Sequence, residues 1–296
     1  MLPHGSADAL FLARFASQLA ALPVAEQKPV FIVTSNAQDA ERLTAELAWF
    51  APLLRTHRLP DWETLPYDHF SPHPDLVSER LATLYQFAQG SFDVGIVPVT
   101  TAMTRLAPRE YLTARAFFLR IKSKLDLERM RSDLSMAGYA HTTQVMAPGE
   151  YAVRGGLIDL FPMGSTVPYR IDLFGDEIEA IRTFDIDTQR SIYPVNEIRL
   201  LPAREFPLDK DGQHHFRESF RDRFEGDPSK SRMYKDVSAG LAPNGIEYYL
   251  PLFFAATATV FDYLPAATTV FVPARQIVTR LGIRPETIGG ERDVAV

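Results

Sequence analysis

The chain has 296 residues, more than a typical single domain holds, and the length implies two or three. Hydrophobic residues make up 46% and charged ones 23%, an ordinary globular balance. A formal net charge of -6, with no run of Lys or Arg, argues against sequence-independent phosphate binding. The absence of cysteine excludes disulfides and thiolate metal sites and fits a reducing cytoplasm. No stretch approaches the ~20 apolar residues of a membrane span. Residues 1–21 lack the basic head and long apolar core of a signal peptide, being interrupted by Asp8 and Arg14. Residues 286–296 stop without a closing element, as an excised fragment would.

In chain order, residues 9–22 have helical apolar spacing, and KPVFIVT (28–34) is a short β-rich run. Ser35 or Asn36 caps a helix over 39–50. A helix over 75–89 leads into the buried-type strand FDVGIVPV (92–99). This alternation predicts a parallel α/β layer. From about residue 116 the texture changes. A helix over 125–136 is followed by strands at 151–154, 157–161, 169–174, 177–184 and 197–201, with glycines and prolines between several of them. That pattern predicts a small α+β domain on an antiparallel sheet. A third segment, from about residue 204, holds a helix over 213–224, a polar loop GDPSKS (226–231) expected to be mobile, and a strand at 268–273.

Period-two alternation over 169–174 puts Tyr169, Ile171 and Leu173 on one face and Arg170, Asp172 and Phe174 on the other. The first face is a core pattern. The second sets an aromatic beside charges, the composition of an interface hot spot. Gly175-Asp176 suits a two-residue turn, which sets Phe174 opposite Glu177, Arg170 opposite Ile181 and Asp172 facing Glu179. The alternative is that Phe174 packs under a neighbouring segment while Arg170 pairs with Asp172 or Glu179. In VRGGLIDLFP (153–162) the paired glycines form a bulge or admit a close backbone approach. Arg154 then reaches the surface of Arg170 or neutralises Asp159 or Asp172, and the residue pattern favours the ion pair.

Two further stretches invite chemistry. His4-Gly5-Ser6-Ala7-Asp8-Ala9 precedes a helix, but a phosphate-binding loop needs GxxxxGK[ST], and the Lys-Ser/Thr pair and second Gly are missing. Asp8 would set negative charge against a phosphate, so this loop is not expected to hydrolyse nucleotide. In DWETLPYDHFSPH (61–73), Asp68, His69 and His73 have ligand chemistry, and Glu63 with Asp68 offers an acid–base pair. The prolines imply an irregular path. An aromatic-rich loop packing Trp62, Tyr67 and Phe70 on the sheet is the favoured reading.

The stretches LPDWETLPYDHFSPH (59–73), GEYAVRGGLIDLFPMGS (149–165), YRIDLFGDEIEAIRTFD (169–185), RLLPAREFP (199–207) and GIEYYLPLFF (245–254) resemble the amino-terminal region of bacterial transcription-repair coupling factors. The resemblance runs from residue 28 to 263. It implies an α/β fold: a degenerate, helicase-type parallel α/β domain like that of the excision-repair protein UvrB (1–115), an inserted small α+β UvrA-binding domain with an antiparallel sheet (116–203), and a further α/β segment (204–296). It also implies the family's UvrA-contacting positions at Arg154, Arg170 and Phe174, with Asp172, Glu177 and Arg182 at the rim. The two arginines would offer planar forks to carboxylates on UvrA while Phe174 fills an apolar pocket between them. No catalytic residue, metal or cofactor is implied here: ATP and Mg²⁺ belong to a separate translocase motor of the full-length protein, which displaces stalled RNA polymerase. The protein's own carboxyl-terminal regulatory domain would mask the UvrA-binding face, and RNA polymerase and DNA would be engaged elsewhere. The segment 60–75 is too short for the DNA-probing hairpin of UvrB. Two rival readings remain, a nucleotide-binding or hydrolysing domain with an unconventional site, and a module that recognises damaged DNA directly.

Overall fold

A computed structural model of the chain describes residues 6–66 and 68–272. The described chain forms two compact units, one from residues up to 61 with 86–104 and the chain from 259 on, the other from 62–85 with 105–258.

In the first unit, α1 (Ala7–Ala20), β1 (Val30–Thr34), α2 (Ala37–Phe50), β2 (Thr56–Arg58), the last turn of α3 (Pro74–Gln89), β3 (Val94–Pro98) and the single turn α4 (Val99–Ala102) follow in order. Every residue of β1 and β3 is buried, as expected of parallel strands covered on both faces. The sheet is parallel throughout. Its order is Thr269–Phe271, β1, β3, β2. The strand expected at 268–273 thus forms an edge of this first sheet, pairing Thr269 with Val30, and Pro273 lies outside the described residues. Asn36 is the cap of α2, its side chain accepting the Asp39 N–H at 2.8 Å. Ala9, Leu12, Ala13 and Ala16 of α1 and Ala40, Leu43 and Leu47 of α2 pack against Val30, Ile32, Val94 and Ile96. Gly95, opposite Phe31, has no room for a side chain: a Cβ would stand 2.6 Å from the Phe31 ring.

The second unit holds α5 (Arg109–Ala114), β4 (Phe117–Arg120), α6 (Leu127–Met136), β5 (Ala140–His141), β6 (Glu150–Arg154), β7 (Leu157–Leu160), β8 (Tyr169–Phe174), β9 (Glu177–Phe184), β10 (Ser191–Val195), β11 (Glu197–Leu200), α7 (Lys210–Arg223) and α8 (Arg232–Ser238). A six-stranded sheet runs β10-β9-β8-β7-β6-β5, antiparallel apart from the β5–β6 pair. The strand expected at 197–201 does not join it. As β11 it pairs with β4, whose apolar-charged pattern had given no strand signal. Asp126 caps α6, and Asp209 caps α7. Phe216 and Phe220 of α7 pack with Phe206 and Phe253. The segment 226–231 forms a capped turn: Asp227 accepts from the Ser229 N–H, and Ser231 caps α8.

A buried ion pair ties this unit together. The Arg80 side chain is 2% exposed and that of Glu205 4% exposed. Arg80 Nε and Nη2 donate to the two carboxylate oxygens at 2.7 and 3.2 Å. Trp62 Nε1 donates to the same carboxylate at 3.1 Å, and the guanidinium lies 4.8 Å from the Trp62 ring centre. Removing one partner of a buried pair strands the other's charge, which typically costs about 3–5 kcal/mol. Glu205→Ala should therefore lower the unfolding free energy of this unit by about that amount in a urea titration.

Candidate partner-binding surface

Two hairpin turns lie side by side at one end of the six-stranded sheet. The first joins β6 to β7 through Gly155-Gly156, with Arg154 opposite Leu157. Gly155 takes φ +61, in the left-handed region that favours glycine. The second joins β8 to β9 through Gly175-Asp176, with Phe174 opposite Glu177 as the sequence predicts. The Leu173 N–H donates to the Gly156 carbonyl at 2.8 Å, locking the two turns together. A Cβ at Gly156 would stand 3.1 Å from the Leu173 carbonyl oxygen, so the paired glycines admit the close backbone approach.

The register puts Arg154, Leu157, Asp159, Arg170, Asp172, Phe174, Glu177 and Arg182 on one face of the sheet. Two expectations need correction. Arg170 stands opposite Arg182, not Ile181, and Asp172 opposite Ala180, not Glu179. The cause is an irregularity in β9 between the partners of Asp172 and Leu173, which inserts Glu179 as an extra residue. That shift removes the facing of Asp172 and Glu179 and instead sets two arginines against each other.

The arginines are compensated by carboxylates on neighbouring strands. Asp159 has a side chain only 1% exposed, and it accepts from two arginines. Arg170 Nε and Nη2 donate to its oxygens at 2.6 and 2.9 Å, while Arg154 Nη2 donates to Oδ2. Arg182 Nη1 donates to Asp172. Arg170 also donates through Nη1 to the Gln189 carbonyl at 3.1 Å and lies 5.1 Å from the Phe184 ring centre. Its side chain is 16% exposed, and the hydrogen bonds it donates to Asp159 raise its pKa. The alternative pairing of Arg170 with Asp172 or Glu179 thus gives way to Asp159, while Arg154 makes the ion pair that the residue pattern favours, with Asp159 of the two carboxylates offered. Both forks are engaged within the chain, but to different degrees. Arg170 is committed on three nitrogens. Arg154 is 51% exposed and uses one, leaving donors for an incoming acceptor.

Phe174 is 79% exposed, so it does not pack under a neighbouring segment. Leu157, on the same face, is partly exposed beside it. The tip bearing Phe174 is nevertheless held. Leu125 N–H donates to the Asp176 carbonyl at 2.7 Å, Lys122 N–H to Ile178 at 2.7 Å, and Ile178 N–H to Ser123 at 3.0 Å. Lys124 Nζ reaches the Asp176 carboxylate at 3.0 Å and lowers its pKa. Sequence pattern gives no signal for this brace, because residues 122–125 lie about 50 positions away from the turn they hold.

The other candidates are not drawn into a site. Gly5 lies outside the described residues. Ser6 donates to Glu46 at 3.0 Å, and Asp8 binds Arg42 through both oxygens at 3.1 and 2.8 Å. Trp62 is buried, but beside Tyr248 and Arg80, and Tyr67 lies outside the described residues. Phe70 is exposed, against expectation. His73 Nδ1 accepts from the Asp75 N–H at 3.2 Å. Among the described residues, no group of three or more His, Asp or Glu is placed to hold a metal ion, and no helix is long and apolar enough to cross a membrane.

A family model described as the UvrB interaction domain matches residues 117–206, which contain the whole six-stranded sheet and both turns. The transcription-repair-coupling factor of Escherichia coli is 47% identical over 241 residues, 81% of this chain and 21% of that protein. The chain belongs to the transcription-repair-coupling-factor family. The coupling factor of Haemophilus influenzae is 44% identical over 265 residues, 88% of this chain and 22% of that protein. That of Bacillus subtilis is 26% identical over 282 residues. The chain spans about a fifth of the length of the curated coupling factors it matches.

A side chain as exposed as Phe174 contributes little to folding. Phe174→Ala should leave the urea unfolding free energy within about 0.5 kcal/mol of the unaltered chain, as for most surface substitutions.

Proposed function

We propose that this region of the coupling factor recruits UvrA through the face carrying Arg154, Arg170 and Phe174, and performs no chemistry of its own. One observation carries the reading: an aromatic ring, 79% exposed, stands on a braced hairpin tip beside arginines that share its face. Burying a phenylalanine is worth roughly 1.5–3 kcal/mol, so a ring left in water on a rigid support is an anchor in want of a pocket. Arg154 supplies a fork for a carboxylate at the rim of that pocket. Arg170 contributes through its small accessible edge. Asp172, Glu177 and Arg182 form the polar rim. The partner surface is therefore an apolar pocket bordered by acidic groups.

In the full-length protein, ATP and Mg²⁺ would serve a motor elsewhere in the chain, RNA polymerase and DNA would be engaged by other regions, and the carboxyl-terminal domain would cover the UvrA-binding face until it is needed. The nucleotide-binding alternative has less support. Asp8 and Ser6, which would border a phosphate, are engaged with Arg42 and Glu46, and no Lys follows in the place a phosphate requires.

The purified chain should bind UvrA in calorimetry, and Phe174→Ala or Arg154→Ala should cost about 2 kcal/mol or more, roughly thirtyfold in affinity. Unaltered affinity in both variants would sink the assignment. The same preparation should turn over no ATP above background and should not shift duplex DNA in a gel. Salt-sensitive retardation would favour the DNA-binding reading instead.

A further inference from the structure

We infer that Asp159 is a positioning residue for the docking face, fixing the Arg154 guanidinium at the surface although no partner can touch Asp159 itself. The inference rests on the proposed UvrA-docking reading and deepens it. With its side chain 1% exposed, the Asp159 carboxylate is beyond the reach of any docking protein. A carboxylate so far out of water is tolerated only with cationic partners, and Arg170 meets it with two parallel N–H donors at 2.6 and 2.9 Å. Arg170 is itself held by the Gln189 carbonyl and the Phe184 ring, so the carboxylate has a fixed seat.

Arg154 then binds Oδ2, the oxygen it shares with Arg170 Nη2. Among the described residues this carboxylate is the hydrogen-bond partner of the Arg154 side chain. Arg154 is the last residue of β6, next to a glycine turn, and its long side chain would otherwise sample many rotamers. Asp159 lies across from Ala152 on the neighbouring strand, two residues back on the face that carries Arg154. It therefore draws the guanidinium along the sheet surface and leaves its outward nitrogens available. A side chain fixed before binding loses less freedom on binding, which is preorganisation. The opposite view is that Asp159 competes with the partner for Arg154, so that removing its charge would free the fork and tighten binding.

Asp159→Asn separates these views, because it keeps the volume and removes the charge. UvrA affinity should fall roughly tenfold, the order expected for immobilising one rotamer-rich side chain. The same change made in an Arg154→Ala background should have no further effect, whereas a role limited to holding the fold would lower affinity equally in both backgrounds. Unchanged or tighter binding in Asp159→Asn, or a full tenfold loss persisting without Arg154, overturns the inference. If Arg154→Ala weakens binding and Asp159→Asn does not, the positioning role alone fails. If Arg154→Ala binds as tightly as the unaltered chain, this inference fails, and the docking surface fails with it only when Phe174→Ala is unaltered too. Should Asp159→Asn not fold, side-chain nitrogen NMR of the unaltered chain decides. Hindered rotation of the Arg154 guanidinium, seen as separate Nη signals, is the expected result, and a single averaged signal contradicts it.

Discussion

A carboxylate drawn almost completely out of water has to be met by cations, and Asp159 is met by two, from strands on either side of its own. That shared contact explains why a sheet face bearing Arg170 directly opposite Arg182 is stable at all. Arg170 turns toward Asp159 on β7, Arg182 turns toward Asp172 on β8, and like charges that the register sets together are drawn apart onto different carboxylates. The result is a ladder of alternating charge across four strands, anchored at a buried point and open at the hairpin end. Arg154, the cation next to the glycine turn, keeps donors left over, as does Arg182, whereas Arg170 is committed on three nitrogens.

The apolar anchor is presented by a different device. Phe174 gains nothing from the core of its own unit, and its position is set by backbone. The Leu173 amide is fixed to Gly156, and the 122–125 segment is hydrogen-bonded along the other edge of the turn. An exposed ring on a loose loop would have to be ordered each time it docked. On this braced tip that ordering is already made in folding, and the net cost falls on stabilising contacts elsewhere, such as the buried Arg80–Glu205–Trp62 cluster.

Much of this was legible in the residues. The β8 and β9 strands, the Gly175-Asp176 turn, the Asn36 cap and the unbroken apolar runs of β1 and β3 all follow from short-range patterns that depend on neighbouring residues alone. What failed was long-range or depended on one extra residue. The Glu179 irregularity moved Arg170 from Ile181 to Arg182, and strand alternation cannot announce a bulge in its partner. The pairing of β11 with β4 joins residues far apart in sequence, as does the return of Thr269–Phe271 to the first sheet. At the candidate site the strand pattern set Phe174 beside Arg170, and the resemblance added Arg154 and treated the two arginines as equivalent. Their difference comes from Gln189, Phe184 and Asp159, which only the folded chain brings to Arg170. Phe70 shows the converse limit: it shares an aromatic-rich loop with buried Trp62, yet it is exposed.

Hydrogen exchange on the chain with and without UvrA tests the central claim most directly, because it reports which backbone becomes protected without altering any residue. Protection should concentrate at the two turns, residues 153–158 and 172–178, and leave the parallel sheet of the first unit exchanging as in the free chain. A complex that forms with both turns exchanging as in the free chain, and with protection confined to the first unit, would contradict the account.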